Sequence, residues 1–168
     1  TAQLPDLGRD IIFTATLEIA STDVSAATRQ AIRSIESRGG FLFSQETRGG
    51  AGGTSILTFK VLPEHFQVAL NDLGSVGEIR SQSISAEDVS AVVVDLESRI
   101  NTAQASVIRL RNLLDNASEL ETIATLENQL LQRETSLEQL RGQLRTVRNQ
   151  VDLATITVYV SELLNRPG

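Results

Sequence analysis

A Ser-His-Asp or Cys-His catalytic arrangement in this chain would have to run through His65, its only histidine, and there is no cysteine to supply a thiolate. No serine nucleophile motif stands near it. His65 lies beside Phe66 at the start of a short apolar stripe, which reads as a surface or partly packed side chain. The carboxylates Glu87, Asp88, Asp95 and Glu97 are the other candidates, since clustered oxygens suit a hard cation. They lack the D-x-D-x-D-G spacing of a calcium loop, and their place at the head of a helical stretch suits capping and pairing with Arg99 or later arginines. The run Gly49 to Gly53 has no following Lys-Ser/Thr and opens no helix, so it reads as a turn rather than a phosphate cradle. No catalytic, metal-binding or cofactor-binding residue is expected, and the chain is read as not an enzyme.

Composition narrows the partners. A formal net charge of -6 disfavours nucleic acid, whose phosphates need a basic stripe. Lys60 is the only lysine, and the arginines do not cluster on one segment. No apolar run approaches the length needed to span a bilayer. With no methionine in the chain, Thr1 is read as a processed or cut end, and any signal peptide or membrane anchor is expected outside this fragment.

The elements that would position these residues can be read from periodicity. Residues 1–9 form a lead-in. Ile11, Phe13, Ala15, Leu17 and Ile19 alternate with polar residues as a half-buried strand. Ser21, Thr22 and Asp23 are N-cap candidates for a helix carrying Val24, Ala27, Ala31, Ile32 and Ile35, which Gly39-Gly40 ends. Residues 41–61 read as a strand hairpin. Pro63 opens a short helix with Phe66, Ala69, Leu70 and Leu73, stopped by Gly74. Val76 to Ser85 reads as a weaker strand, an edge or a bulge. The order is βαββαβ, a ferredoxin-like arrangement.

Beyond it the apolar residues fall into heptads. Val93, Ile100, Val107 and Leu114 form one row, and Leu96, Ala103, Leu110 and Ala117 a second. Ile123, Leu130, Leu137, Leu144 and Val151 repeat the pattern, with Leu126, Arg133, Leu140 and Val147 beside them. Ser118 and Glu121 match a capping box, so a second helix is expected to begin at Ser118. A connection this short makes the two helices antiparallel neighbours, each roughly 40 Å long at ~1.5 Å per residue. Asp88, Asp95 and Glu97 are expected in the first turns of the first arm, facing Arg141, Arg145 and Arg148 in the last turns of the second. Each set complements its own helix dipole. Arg133 alone breaks the seam; it either snorkels outward, pairs with a carboxylate such as Glu97, or contacts a partner. Ala154, Ile156, Val158 and Val160 then alternate as a final strand.

The expected fold is therefore α+β: a ferredoxin-like sheet with a long antiparallel coiled-coil helical hairpin inserted before a last strand. The sheet domain would take residues 10–86 and 153–163, the projecting hairpin 87–152 and a linker 164–168.

Several stretches carry a family resemblance. They are Glu87-Asp88-Val89-Ser90, Val94-Asp95-Leu96-Glu97-Ser98-Arg99-Ile100, Phe59-Lys60-Val61-Leu62-Pro63-Glu64-His65-Phe66, Leu73-Gly74-Ser75-Val76 and Ala154-Thr155-Ile156-Thr157-Val158. Together, from about Asp10 to Leu163, the chain resembles a bacterial domain-of-unknown-function family, numbered four-three-four-nine. Its members look like cell-surface lipoproteins or membrane-anchored ectodomains. Two departures stand out: Lys60 replaces the family's usual arginine, with Leu62 inserted before Pro63, and Ser90 replaces its usual threonine. The resemblance implies export, attachment to the cell membrane and no known catalytic residues.

The leading expectation is a membrane-tethered extracytoplasmic protein-interaction module that binds through its hairpin. The alternatives are an accessory subunit of a larger membrane complex, a homo-oligomer, and the sensory ectodomain of an anti-sigma-type signalling protein.

Overall fold

A computed structural model describes residues 9–50 and 53–163. The expected linker lies outside them, as does the expected lead-in apart from Arg9. The chain divides into two compact units, one holding the chain up to Asp88 and from Gln150 on, the other Val89–Asn149.

The first unit is a sheet with two helices on one face. In β1 (Ile11–Ser21), Phe13, Ala15, Leu17 and Ile19 are buried while Thr14, Thr16 and Glu18 are exposed. The period of two in the sequence thus becomes a strand with one dry face. Helix α1 (Val24–Ser37) starts where Asp23 Oδ1 accepts the Ala26 N–H at 3.1 Å. It ends in a Schellman turn: Gly39, at φ +82°, donates to the Glu36 carbonyl and Gly40 to that of Ile35. A Cβ on Gly40 would lie 2.8 Å from the Lys60 carbonyl oxygen and from Val61 Cγ1, so the close approach of chain to strand also requires glycine.

β2 (Phe41–Arg48) and β3 (Thr54–Val61) pair antiparallel as the expected hairpin. One 3-10 turn with Pro63 at its head leads into α2 (Phe66–Gly74), whose Phe66, Ala69, Leu70 and Leu73 are all buried. Phe66 packs its ring 5.6 Å from that of Phe13, fastening α2 to β1. The weak strand read over Val76 to Ser85 is displaced: β4 runs Glu78–Asp88. Gly77 instead lets the chain pass close to β1, where a Cβ would sit 2.6 Å from the Ala20 carbonyl oxygen.

The sheet is mixed and five-stranded, in the order β2-β3-β5-β1-β4. β5 (Ala154–Glu162) lies between β1 and β3, parallel to β1 and antiparallel to β3. In a four-stranded ferredoxin-like sheet those two strands would be neighbours. The insertion has a packing reason. Ala154, Ile156, Val158 and Val160 are fully buried, and a strand with so dry a face gains most at the centre of the sheet. The register brings Asp88 opposite Ile11 and Thr155 opposite Thr14. The segment between β4 and β5 therefore leaves and rejoins the sheet at the same end of β1, on either side of it.

The second unit contains α3 (Ser90–Asp115) and most of α4 (Leu120–Asp152), joined by residues 116–119. Two expectations fail at its ends. α4 begins at Leu120, not Ser118, with the Ile123 N–H bonded to the Glu119 carbonyl. Glu121 lies in the first turn of α4, and Ser118 lies two residues before its first residue. Asp88 is not in the first turn of α3: it closes β4 and pairs with Arg9 at 3.7 Å. The first turn of α3 holds no acidic residue and the last turn of α4 no basic one, so neither expected dipole match is made.

Candidate interaction surface

Side chains that could have carried chemistry are committed to structure. His65 Nδ1 lies 2.8 Å from the carbonyl oxygen of Arg38, the residue capping α1, and Arg38 in turn bonds Asp72 of α2 at 2.9 Å. The histidine thus helps tie the end of α1 to the start of α2. Lys60 donates to Thr155 Oγ1 at 2.6 Å and lies 5.2 Å from the centre of the Phe43 ring. No group of three or more His, Asp or Glu side chains converges to hold a metal ion among the described residues.

On α3 and α4 the expected seam residues are the sheltered ones. Val93, Leu96, Val107 and Leu137 are buried; Ile100, Leu110, Leu114, Ile123, Leu126, Leu130, Leu140, Leu144, Val147 and Val151 are half-buried. Arg133, the one charged residue in these rows, is exposed and does not pair with Glu97. Its long stem lets the guanidinium reach water from a seam position.

The candidate charge pairs sort into three kinds. Arg148 bonds Glu97 across the two helices. Asp95 pairs with Arg99 within α3 at 3.3 Å, and Arg141 with Glu138 within α4 at 3.3 Å. Arg145 has no ion pair among the described residues, and Asp88 belongs to β4. A second interhelix pair was not foreseen: Arg111 donates to Glu134 at 2.9 Å. Glu97 and Arg111 are two heptads apart on α3, and Glu134 and Arg148 two heptads apart on α4. As the chain rises along one helix it falls along the other. All four residues immediately follow a position of the second seam row, which is the e position of a heptad.

Outward rows hold what the heptad reading passed over. Val94 (66 % exposed), Ile108 (51 %), Leu120 (83 %) and Leu131 (64 %) lie outside both seam rows. Their signal in the sequence is an apolar residue with no place in the pattern. Threonines on α4 are reconciled with the helix by bonding back to it, as Thr125, Thr135 and Thr146 each donate to the carbonyl four residues earlier.

These features define an α+β chain with a mixed five-stranded sheet, two helices packed on it, and two long helices in the sequence between β4 and β5. Residues 9–167 match the model of a protein family described as Domain of unknown function (DUF4349), and the chain belongs to that family. No curated protein and no solved structure matches the chain.

Proposed function

We propose that this chain is a non-catalytic, membrane-tethered extracytoplasmic module that binds a protein partner through its α3–α4 hairpin. The observation that carries the reading is the pair of interhelix ion pairs at equivalent heptad positions, Glu97–Arg148 and Arg111–Glu134. That register suits an antiparallel coiled coil. It sets Val93 level with Val147, Leu96 with Leu144, Ile100 with Leu140, Ala103 with Leu137, Leu110 with Leu130 and Leu114 with Leu126. A hairpin zipped on itself leaves its outward rows free, and there Val94, Ile108, Leu120 and Leu131 offer apolar contact.

In this reading the sheet is a ferredoxin-like frame opened between β1 and β3 to admit β5, and its role is to anchor both roots of the hairpin. The non-catalytic reading is supported by His65, whose ring nitrogen is engaged by a backbone carbonyl. The tether rests on the family's resemblance to lipoproteins and anchored ectodomains. No helix among the described residues is long and apolar enough to cross a membrane, so the anchor would be a separate segment or a lipid.

Protease treatment of intact cells making the full-length protein tests the reading. Cleavage of the domain by external protease, after removal of the outer layers of the envelope, with the protein retained in the membrane fraction, is the expected result. Protection in intact spheroplasts together with recovery in the cytosol would overturn it.

A further inference from the structure

β4 is the least sheltered element of the sheet. All eleven of its residues, Glu78 to Asp88, are exposed, and among the described residues it is the end strand, paired only with β1. Its outer edge therefore presents a row of backbone N–H and C=O groups with no strand of the described residues beyond it. Native edges are usually blunted by charge, proline or a bulge. Here the bulge lies at the start of the strand: the register with β1 passes from Ser81 to Ile79 and skips Arg80. The charges lie at the ends, in Glu78, Arg80, Glu87 and Asp88. Between them Ser81 to Ala86 is regular, uncharged and free of proline, with Ile84 48 % exposed at its middle. The opposite edge, β2, has its irregularity within the strand, between Leu42 and Ser44, and carries charge in Glu46 and Arg48, so it offers a shorter regular stretch.

We propose that β4 pairs with β4 of a second copy of this chain, antiparallel and centred on Ile84, so that one sheet runs through both copies. The strand's own charges choose the occupant and the register. With Ile84 against Ile84, Gln82 stands against Ala86 and Ser83 against Ser85, while Ile79 and the bulged Arg80 beside it come level with Asp88 of the other copy. Opposite charges then close both ends. A shift that centres Ser83 would set Glu78 against Glu87, like against like. A shift that centres Ser85 would set Ser83 against Glu87 and lose the arginine–aspartate match. Arg80 has an exposed ion pair at 3.7 Å within the chain, to Glu78, and a loose pair of this kind exchanges partners at small cost, while the Asp88 carboxylate, paired with Arg9 at 3.7 Å, has the lone pairs to accept a further donor. Ile84 shares the helix-bearing face with its neighbour Ala15, so the two isoleucines would extend the apolar layer across the junction. This inference stands on the sheet alone and does not depend on the hairpin or on a membrane tether.

Sedimentation equilibrium of the purified chain, with two variants, decides it. The chain is expected to sediment as a dimer. Ile84→Lys, at an exposed site, should give a monomer with an unchanged far-ultraviolet circular dichroism spectrum. Because the chain has no cysteine, Ile84→Cys alone should form a disulfide-linked dimer under mild oxidation, as position 84 meets itself. Separately purified Ser83→Cys and Ser85→Cys chains should link when mixed, faster than either does alone. A wild-type chain that stays monomeric at high concentration would overturn the proposal. So would a dimer that survives Ile84→Lys while Ile84→Cys fails to cross-link, since that dimer would use another surface.

Discussion

Arg111 of α3 reaches across to Glu134 of α4 and donates to its carboxylate at 2.9 Å, two heptads from the Glu97–Arg148 pair on both helices. Each pair is exposed, so neither contributes much stability by itself. Their value is as a ruler: the two helices can take only one register if both pairs are to form.

The ruler has an empty mark. Halfway between the two pairs stand Gln104 on α3 and Arg141 on α4, offset along the helices as the members of each pair are and one heptad from either rung. Arg141 there turns to Glu138 of its own helix at 3.3 Å. Gln104→Glu should draw it across and raise stability by about 0.3 kcal/mol at low salt, and the gain should fade as salt rises. Gln104→Lys should destabilise by a similar amount. Urea unfolding at two ionic strengths measures both; equal midpoints for the Glu and Lys variants would mean that position 104 does not face Arg141.

Arg133 occupies a seam row yet is exposed, level in that register with the buried Val107. Arg133→Leu should restore an apolar layer and stabilise the chain by about 1 kcal/mol, part of the gain from burying a whole leucine. Leu137→Ala, at a buried position one turn away, should cost about 2–4 kcal/mol through lost burial and an unfilled cavity. Thermal unfolding followed by circular dichroism at 222 nm, a wavelength that reports helix, reads both. A destabilised Arg133→Leu chain would show that the guanidinium has a structural partner.

The caps of α1 give a test confined to the sheet unit. Asp23→Ala removes the acceptor for the Ala26 amide and should cost about 1 kcal/mol, whereas Asp23→Asn should cost little. Gly39→Ala must hold a side chain at φ +82° and should cost about 1–2 kcal/mol. Gly40→Ala should cost more than either, because its Cβ would collide with the backbone of β3 and not only with movable side chains. Denaturant midpoints for the four variants give the order directly.

Local pattern made most of these elements legible. The two-residue alternation of Ile11 to Ile19 and of Ala154 to Val160, and the seven-residue rows from Val93 to Val151, each report one buried face, and the structure buries or half-buries those faces. Asp23 and Gly39 announced α1 because cap and turn chemistry depend on a few adjacent residues. What escaped was relational. Nothing in the alternation of Ala154 to Val160 says which strands flank it, so the place of β5 between β1 and β3 could not be read. Arg111 and Glu134 are each ordinary surface residues until a register brings them together. Ser118 and Glu121 have the spacing of a capping box, yet α4 begins at Leu120, two residues beyond the start that spacing predicts. Asp88 was read into the helix because it precedes the heptads, while its backbone pairs with Ile11 as the last residue of β4.

The reading that the hairpin is the working surface is tested most directly by site-specific photo-cross-linking in the native cell. A benzophenone amino acid would be placed in the full-length protein at Val94, Ile108 or Leu131 on the outward rows, and at the exposed Arg33 of α1 as a control. A discrete adduct with another protein, formed from the hairpin positions and absent from position 33, is the predicted result. Adducts from position 33 with none from the three hairpin positions would contradict it.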